Sequence, residues 1–292
     1  MSARPNITQE MIRLYDEYMH LTLDRRGFME KLTKLAGSAA AAATIAPLIA
    51  ANKAAAAIVA PDDARLTTAT VGFASAAGEI RGYLAKPAAA TGRLPTVVVI
   101  HENRGLNPHI QDVTRRVALE GFVAMAPDFL SPQGGTPEDE NAASQLFQSM
   151  DRAAAVGIAV AAAAYMRGRE DGNGNVGAVG FCWGGGMANQ LAVSDPDLRA
   201  AVAYYGPQPA AEEAANIKAK LMLHYAGLDD RINAGIAAYE EALKAAGVDY
   251  ELFMYDGVNH AFNNDTSELR YNKEAADLAW SRTIEFFKKN LA

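Results

Sequence analysis

The run Val97-Val98-Val99-Ile100 is apolar and β-branched at every position. A strand loses its alternation of apolar and polar residues when neither face meets water, so 95–100 reads as a central strand. Ahead of it, 66–74 and 78–86 do alternate, the pattern of two strands with one wet face, close enough in sequence to pair antiparallel at the edge of a sheet. After it the period changes. Residues 110–120 read as a helix ending near Gly121, and 122–126 as a short strand closed by Pro127-Asp128. The stretch 141–167 is helical, with a break at Met150-Asp151. Strands follow at 175–181, 198–205, 220–225 and 250–255, and helices at 183–193, 234–246 (stopped by Gly247) and 272–291. Strands alternating with helices predict an α/β fold, a mostly parallel twisted sheet with helices on both faces. Ligands of such sheets bind outside the carboxyl ends of the strands.

The first 57 residues do not share this alternation. Residues 7–23 read as a short amphipathic helix of their own. The segment Asp24-Arg25-Arg26-Gly27-Phe28 resembles a twin-arginine export signal, with a polar residue, two arginines and a large apolar residue two positions on. An uncharged Ala-rich stretch runs from Leu35 to Asn52, and Lys53 precedes Ala54-Ala55-Ala56-Ala57, a run suited to cleavage. The expected organisation is a leader over 1–57 and one domain over 58–292. The leader would be read by the twin-arginine export machinery, the destination would be the periplasm, and the mature N-terminus would lie near Ile58. Three other readings compete: a membrane anchor, a helix packed on the domain, and a signal that is not removed. An anchor needs about 20 strongly apolar residues, and Gly37 and Pro47 interrupt this stretch. If the leader is no signal, the protein is cytoplasmic.

Charge changes at the same boundary. Residues 1–57 carry seven Lys/Arg and five Asp/Glu, against 27 and 34 in the whole chain, so the body is near −9 while the chain is −7. A basic leader before an acidic body suits an exported protein. The acidic body argues against nucleic acid as a partner.

Half of the 292 residues are hydrophobic, and only one is cysteine. A lone thiol makes no internal disulfide; it is either a small buried hydrophobe or a nucleophile. Its setting decides. Cys182 stands in Gly180-Phe181-Cys182-Trp183-Gly184-Gly185, directly after the apolar run 176–179. A strand running through a small-residue turn into a helix is a nucleophile elbow, whose flanking positions must be small. Asp229 and His260 also lie just past strands, and the order Cys, Asp, His is the order of nucleophile, acid and base in α/β-hydrolases. The types fit the chemistry. A thiolate attacks, a histidine carries the proton to the leaving group, and a carboxylate holds the ring. The backbone N–H groups of Trp183 and Asn103 would stabilise the oxyanion. Asp230 competes with Asp229 and otherwise faces solvent or pairs with Arg231.

At these residues the chain resembles the dienelactone hydrolase family over roughly 66–292. Gly-x-Cys-x-Gly-Gly matches its elbow, Gly227-Leu228-Asp229 its acid, and His260 before Ala261-Phe262 its histidine. Glu102, in His101-Glu102-Asn103-Arg104, matches the Glu that contacts the resting thiol in that family. The resemblance implies an α/β-hydrolase fold and a monomer without a cofactor, cleaving enol-lactones or other small esters through a thioester. One feature departs: members that take the dienelactone carboxylate carry an Arg shortly after the histidine, and here Asn263-Asn264-Asp265 follows. Arg104 is the substitute contact for a substrate carboxylate, with Arg81 set on an early strand. The alternative is an exported binding or redox-responsive protein that keeps the fold without turnover.

The remaining polar residues read plainly. His101 is expected to pack or bond to backbone, His109 to sit at the surface or pocket rim, and His224 to be a satisfied core histidine. No spacing suggests a metal site, and the glycines 184–186 lack the Lys-Ser/Thr of a phosphate loop. Trp183, Tyr204, Tyr205 and Phe262 are expected to line the crevice, and Glu138-Asp139-Glu140 to be a solvated helix start.

Overall fold

The structure, a computed structural model, describes residues 6–19, 23–50 and 57–292. Eight strands form one sheet: β1 Leu66–Ser75, β2 Gly78–Pro87, β3 Leu94–Ile100, β4 Val123–Pro127, β5 Gly172–Phe181, β6 Ala200–Tyr204, β7 Lys220–Ala226 and β8 Tyr250–Tyr255. Their order is β1-β2-β4-β3-β5-β6-β7-β8. The β1–β2 and β2–β4 pairs are antiparallel and the rest parallel. This is the α/β-hydrolase architecture the sequence predicts.

The unbroken apolar run of β3 has a direct cause. Val98 and Ile100 face one core, and Val97 and Val99 the other. The first core is closed by α6 Arg152–Arg167, α7 Trp183–Ser194 and α9 Ile236–Ala246, and the second by α4 Pro108–Leu119 and α10 Lys273–Leu291. The break near Met150 is a helix boundary. After α5 Glu140–Gln148, Asp151 caps α6 by accepting the Ala154 N–H at 2.7 Å. Helix α4 begins two residues earlier than the periodicity indicates, because Asn107 accepts the Ile110 N–H and Pro108 takes the first turn. A short helix, α8 Asp230–Asn233, precedes α9.

The N-terminal residues fold as helices. Helix α1 Gln9–Met19, α2 Arg25–Ala36 and α3 Ala39–Ala50 bury Met11, Leu14, Tyr15, Phe28, Leu32, Ile45 and Ile49 among themselves. Asp24 caps α2 by accepting the Gly27 N–H at 2.7 Å, and Arg25 and Arg26 are exposed at its start. Among the described residues no single helix is long and apolar enough to cross a membrane; α2 and α3 together reach that length but are bent by 112°. Residues 53–56 of the expected cleavage run lie outside the described residues.

Candidate active site

Cys182 follows the carboxyl end of β5 with φ 56° and ψ −116°. A non-glycine residue there carries about 1–3 kcal/mol of strain, kept only where the surroundings enforce it. They do so through the backbone. The Cys182 N–H donates to the Tyr204 carbonyl at 3.0 Å, and the Cys182 carbonyl accepts from Gly185 at 3.0 Å and Gly186 at 3.2 Å. The flanking glycines are required by space. A Cβ on Gly180 would lie 1.8 Å from the Gly184 carbonyl oxygen, and one on Gly184 would lie 2.4 Å from that of Ile100. Trp183 opens α7, where the first N–H groups have no intrahelical acceptor.

His260 lies in the loop after β8, buried, with Nδ1–H donating to Asp229 Oδ2 at 2.5 Å. Asp229 caps α8 by accepting the Ile232 N–H at 3.3 Å, which fixes its carboxylate. Cys182 and His260 line the same pocket, and the thiol is an electrostatic partner of the imidazole. Burial opposes the imidazolium. The charges of Asp229 and Cys182 and the hydrogen bond to Asp229 outweigh it, and the pKa of His260 is pushed up to about 10. Burial would raise the Asp229 carboxyl, but the His260 charge and hydrogen bond hold it below the usual carboxylate range. Cys182, His260 and Asp229 are thus brought together. Asp230 is not: it faces solvent, one of its two expected settings, and pairs with Arg13 of α1 at 3.3 Å.

Glu102 lies beyond β3, buried, where Asn264 Nδ2 donates to its Oε2 at 2.7 Å. Its Oε1 has no hydrogen-bond partner among the described residues. Tyr205, at φ 39°, packs its ring 4.9 Å from that of His260. Burial first, then the charges of Glu102 and Cys182, push its phenol well above the usual range. Asn103, Cys182, Trp183, Tyr205, Arg231 and His260 line a pocket of about 160 Å³. A larger cavity, about 280 Å³, lies against Arg116 and Trp280 of α4 and α10, away from the thiol.

Arg104 is not among the pocket's lining residues. Its guanidinium is buried, paired with Glu140 and donating to the Tyr15 hydroxyl at 3.3 Å. Glu140 therefore belongs to an ion pair rather than to a solvated start. The other histidines have structural partners. His101 Nδ1–H donates to the Glu102 carbonyl at 2.7 Å while Nε2 accepts the Phe129 N–H at 3.3 Å, and burial lowers its pKa. His224 bonds Tyr255 at 3.0 Å and Thr283 at 3.1 Å, and burial lowers its pKa to about 3. His109 is buried rather than at the rim, 3.0 Å from Asp265. Tyr204 is core, its hydroxyl 2.7 Å from Thr283. Among the described residues no group of three or more His, Cys, Asp or Glu side chains could hold a metal ion.

Residues 80–291 match the model of the Dienelactone hydrolase family. The chain belongs to that family. A Yersinia pestis protein named "Putative carboxymethylenebutenolidase" is 34% identical over 229 residues, covering 73% of this chain and 84% of its own. A protein of the same name from Escherichia coli K12 is 30% identical over 272 residues, 88% of this chain and 96% of its own. Among solved structures, the "Putative Dienelactone Hydrolase" of Klebsiella pneumoniae superposes with a TM-score of 0.70 at 28% identity, covering 76% of this chain and 98% of its own. A dienelactone hydrolase-like promiscuous phosphotriesterase from metagenomic libraries gives 0.71 at 25% identity, with 78% and 100% covered. A separate short model, YqhI-like, matches residues 3–37.

Sequence reasoning missed several residues at this site. Asn264, which holds Glu102, lay in a stretch read only for its lack of Arg. Arg231 follows Asp230 and reads in sequence only as its ion partner. Met19, which also lines the pocket, carried no signal at all.

Proposed function

We propose that the protein hydrolyses small carboxylic esters or lactones, as the names of its relatives suggest, through a Cys182–His260–Asp229 triad and a thioester. The observation that carries this reading is the strained Cys182 elbow opening on the same pocket as an imidazole held by Asp229. The thiolate Sγ attacks the acyl carbon, and the carbonyl pair moves onto oxygen. That oxyanion is stabilised by the backbone N–H groups of Trp183 and Asn103. Collapse breaks the acyl C–O bond, His260 gives its proton to the departing alkoxide, and a Cys182 thioester remains. Water then attacks with His260 as base, and the thiolate is expelled. Asp229 keeps the ring oriented and favours its charged form.

Glu102 is assigned to the resting thiol. Its buried Oε1, which has no partner among the described residues, is free to accept from the thiol, so Glu102 would hold Cys182 until substrate arrives. The size of the pocket suits a small substrate. Arg231 rather than Arg104 is the cation placed to meet a carboxylate there.

The test is intact mass after rapid mixing with p-nitrophenyl acetate. The wild type should gain one acetyl group at Cys182 and lose it on turnover. Cys182→Ala should gain none and lose at least about a thousandfold in kcat/KM, since triad members act as a unit. Turnover above a tenth of wild type in Cys182→Ala would overturn the assignment.

We also propose that the exposed Arg25-Arg26 pair is read as a twin-arginine export signal. Changing both to Lys should leave the protein in the cytoplasmic fraction; an unchanged periplasmic share would remove the proposal.

A further inference from the structure

Helix α1 touches the loops that carry Glu102, Asp229 and His260. Asn103 Nδ2, beside Glu102, donates to the Met19 carbonyl at 3.0 Å. Gln9 exchanges hydrogen bonds with Asn259, the neighbour of His260. Arg13 pairs with Asp230, the neighbour of Asp229, at 3.3 Å. Asp16 meets the buried Arg270 at 3.2 Å, and Tyr15 accepts from Arg104. These are contacts to three separate connections at the carboxyl end of the sheet, after β3, β7 and β8, so α1 spans the crevice rather than leaning on one side. Its last residue, Met19, closes the wall of the pocket that holds Cys182 and His260. Gln148 borders both that pocket and the wider groove between α1–α3 and α5.

We propose that α1 is a built-in cap of the catalytic crevice and that Met19 sets the size of substrate the pocket accepts. The proposal rests on the ester-hydrolase reading above. It also requires residues through Met19 to stay on the working enzyme, exported or not. A cavity of about 150 Å³ holds a benzene ring, and the pocket under Met19 is about 160 Å³. Acyl groups of a few carbons are expected to fit that space, and a long chain to need the volume that Met19 takes. The side chain is apolar and flexible, so it excludes by volume rather than by charge.

The experiment compares full-length wild type, Met19→Ala and Met19→Trp in kcat/KM for p-nitrophenyl octanoate relative to acetate. Met19→Ala should raise the ratio about tenfold and Met19→Trp lower it, in line with the discrimination available from a few methylenes in an apolar pocket. A residue with a merely structural role would move both substrates together and leave the ratio unchanged, which overturns the proposal. The same comparison is made without turnover, as the alkylation rate of Cys182 by N-phenylmaleimide relative to iodoacetamide. If esters are not hydrolysed but this ratio shifts with Met19, the ester reading fails and the cap stands. If esters are hydrolysed and neither ratio shifts, the cap fails alone. An active protein isolated with its N-terminus near Ile58 also refutes it.

Discussion

Adding one methyl group at Gly180 should disable the enzyme and destabilise it, while the same change at Gly157 should do neither. A Cβ on Gly180 lies 1.8 Å from the Gly184 carbonyl oxygen and 2.3 Å from its carbon. Both are backbone atoms of the first turn of α7, so no side chain can swing away. Reaching ordinary contact at 3.4 Å means withdrawing the start of α7 by about 1.6 Å. Overpacking that side chains can relieve costs about 1–3 kcal/mol; here nothing relieves it, so at least about 3 kcal/mol is expected. For a domain of this size that lowers Tm by about 6–12 °C. The same shift moves the Trp183 N–H and Cys182 against His260, and a misplacement of about 1 Å costs roughly a hundredfold in rate. Gly157 sits inside α6, where a Cβ meets nothing within 4 Å. There Ala should stabilise by up to about 1 kcal/mol through helix propensity alone. Thermal unfolding and p-nitrophenyl acetate kinetics on both variants decide the matter. A Gly180→Ala protein within about 2 °C of wild type and above a tenth of its kcat/KM would refute the elbow geometry.

Two further outcomes follow from buried ionisable groups. His224 is neutral in the folded protein, its pKa lowered to about 3, while the unfolded chain binds the proton near 6.5. The unfolded state therefore holds more protons between those values, and stability present above pH 6.5 is lost as pH falls toward 3, by at most about 1.4 kcal/mol per pH unit. Urea midpoints across that range should fall less steeply for His224→Gln than for wild type; parallel curves would contradict the assignment. Glu102→Gln should raise the iodoacetamide rate of the free enzyme near pH 7 and alter ester turnover, and superimposable alkylation profiles would reduce Glu102 to a loop residue.

What the sequence made legible has a physical pattern. Every strand of the sheet was readable, because β-branched runs and alternation follow directly from which faces meet water; β3 is the clearest case, with its four apolar residues divided between two cores. The elbow was readable for a related reason. Close backbone approach admits only glycine, and Gly180 and Gly184 stand where Gly184, Ile100 and His101 leave no room for a Cβ. What stayed hidden depends on pairing across distant segments. Nothing near Arg104 in sequence says that Glu140 and Tyr15 will take its guanidinium. Nothing near Asp230 says that Arg13, more than two hundred residues earlier, will reach it. The N-terminal stretch was the hardest. Its composition resembles that of a signal, and composition does not record that Asp16 carries the charge opposite a buried Arg270. Removing one partner of such a pair leaves the other charge buried, which costs about 3–5 kcal/mol. Detaching α1 would therefore do more than open the pocket. It would strip the loop that follows His260 of the countercharge that lets Arg270 stay inside, and the catalytic loops would have to rearrange around it.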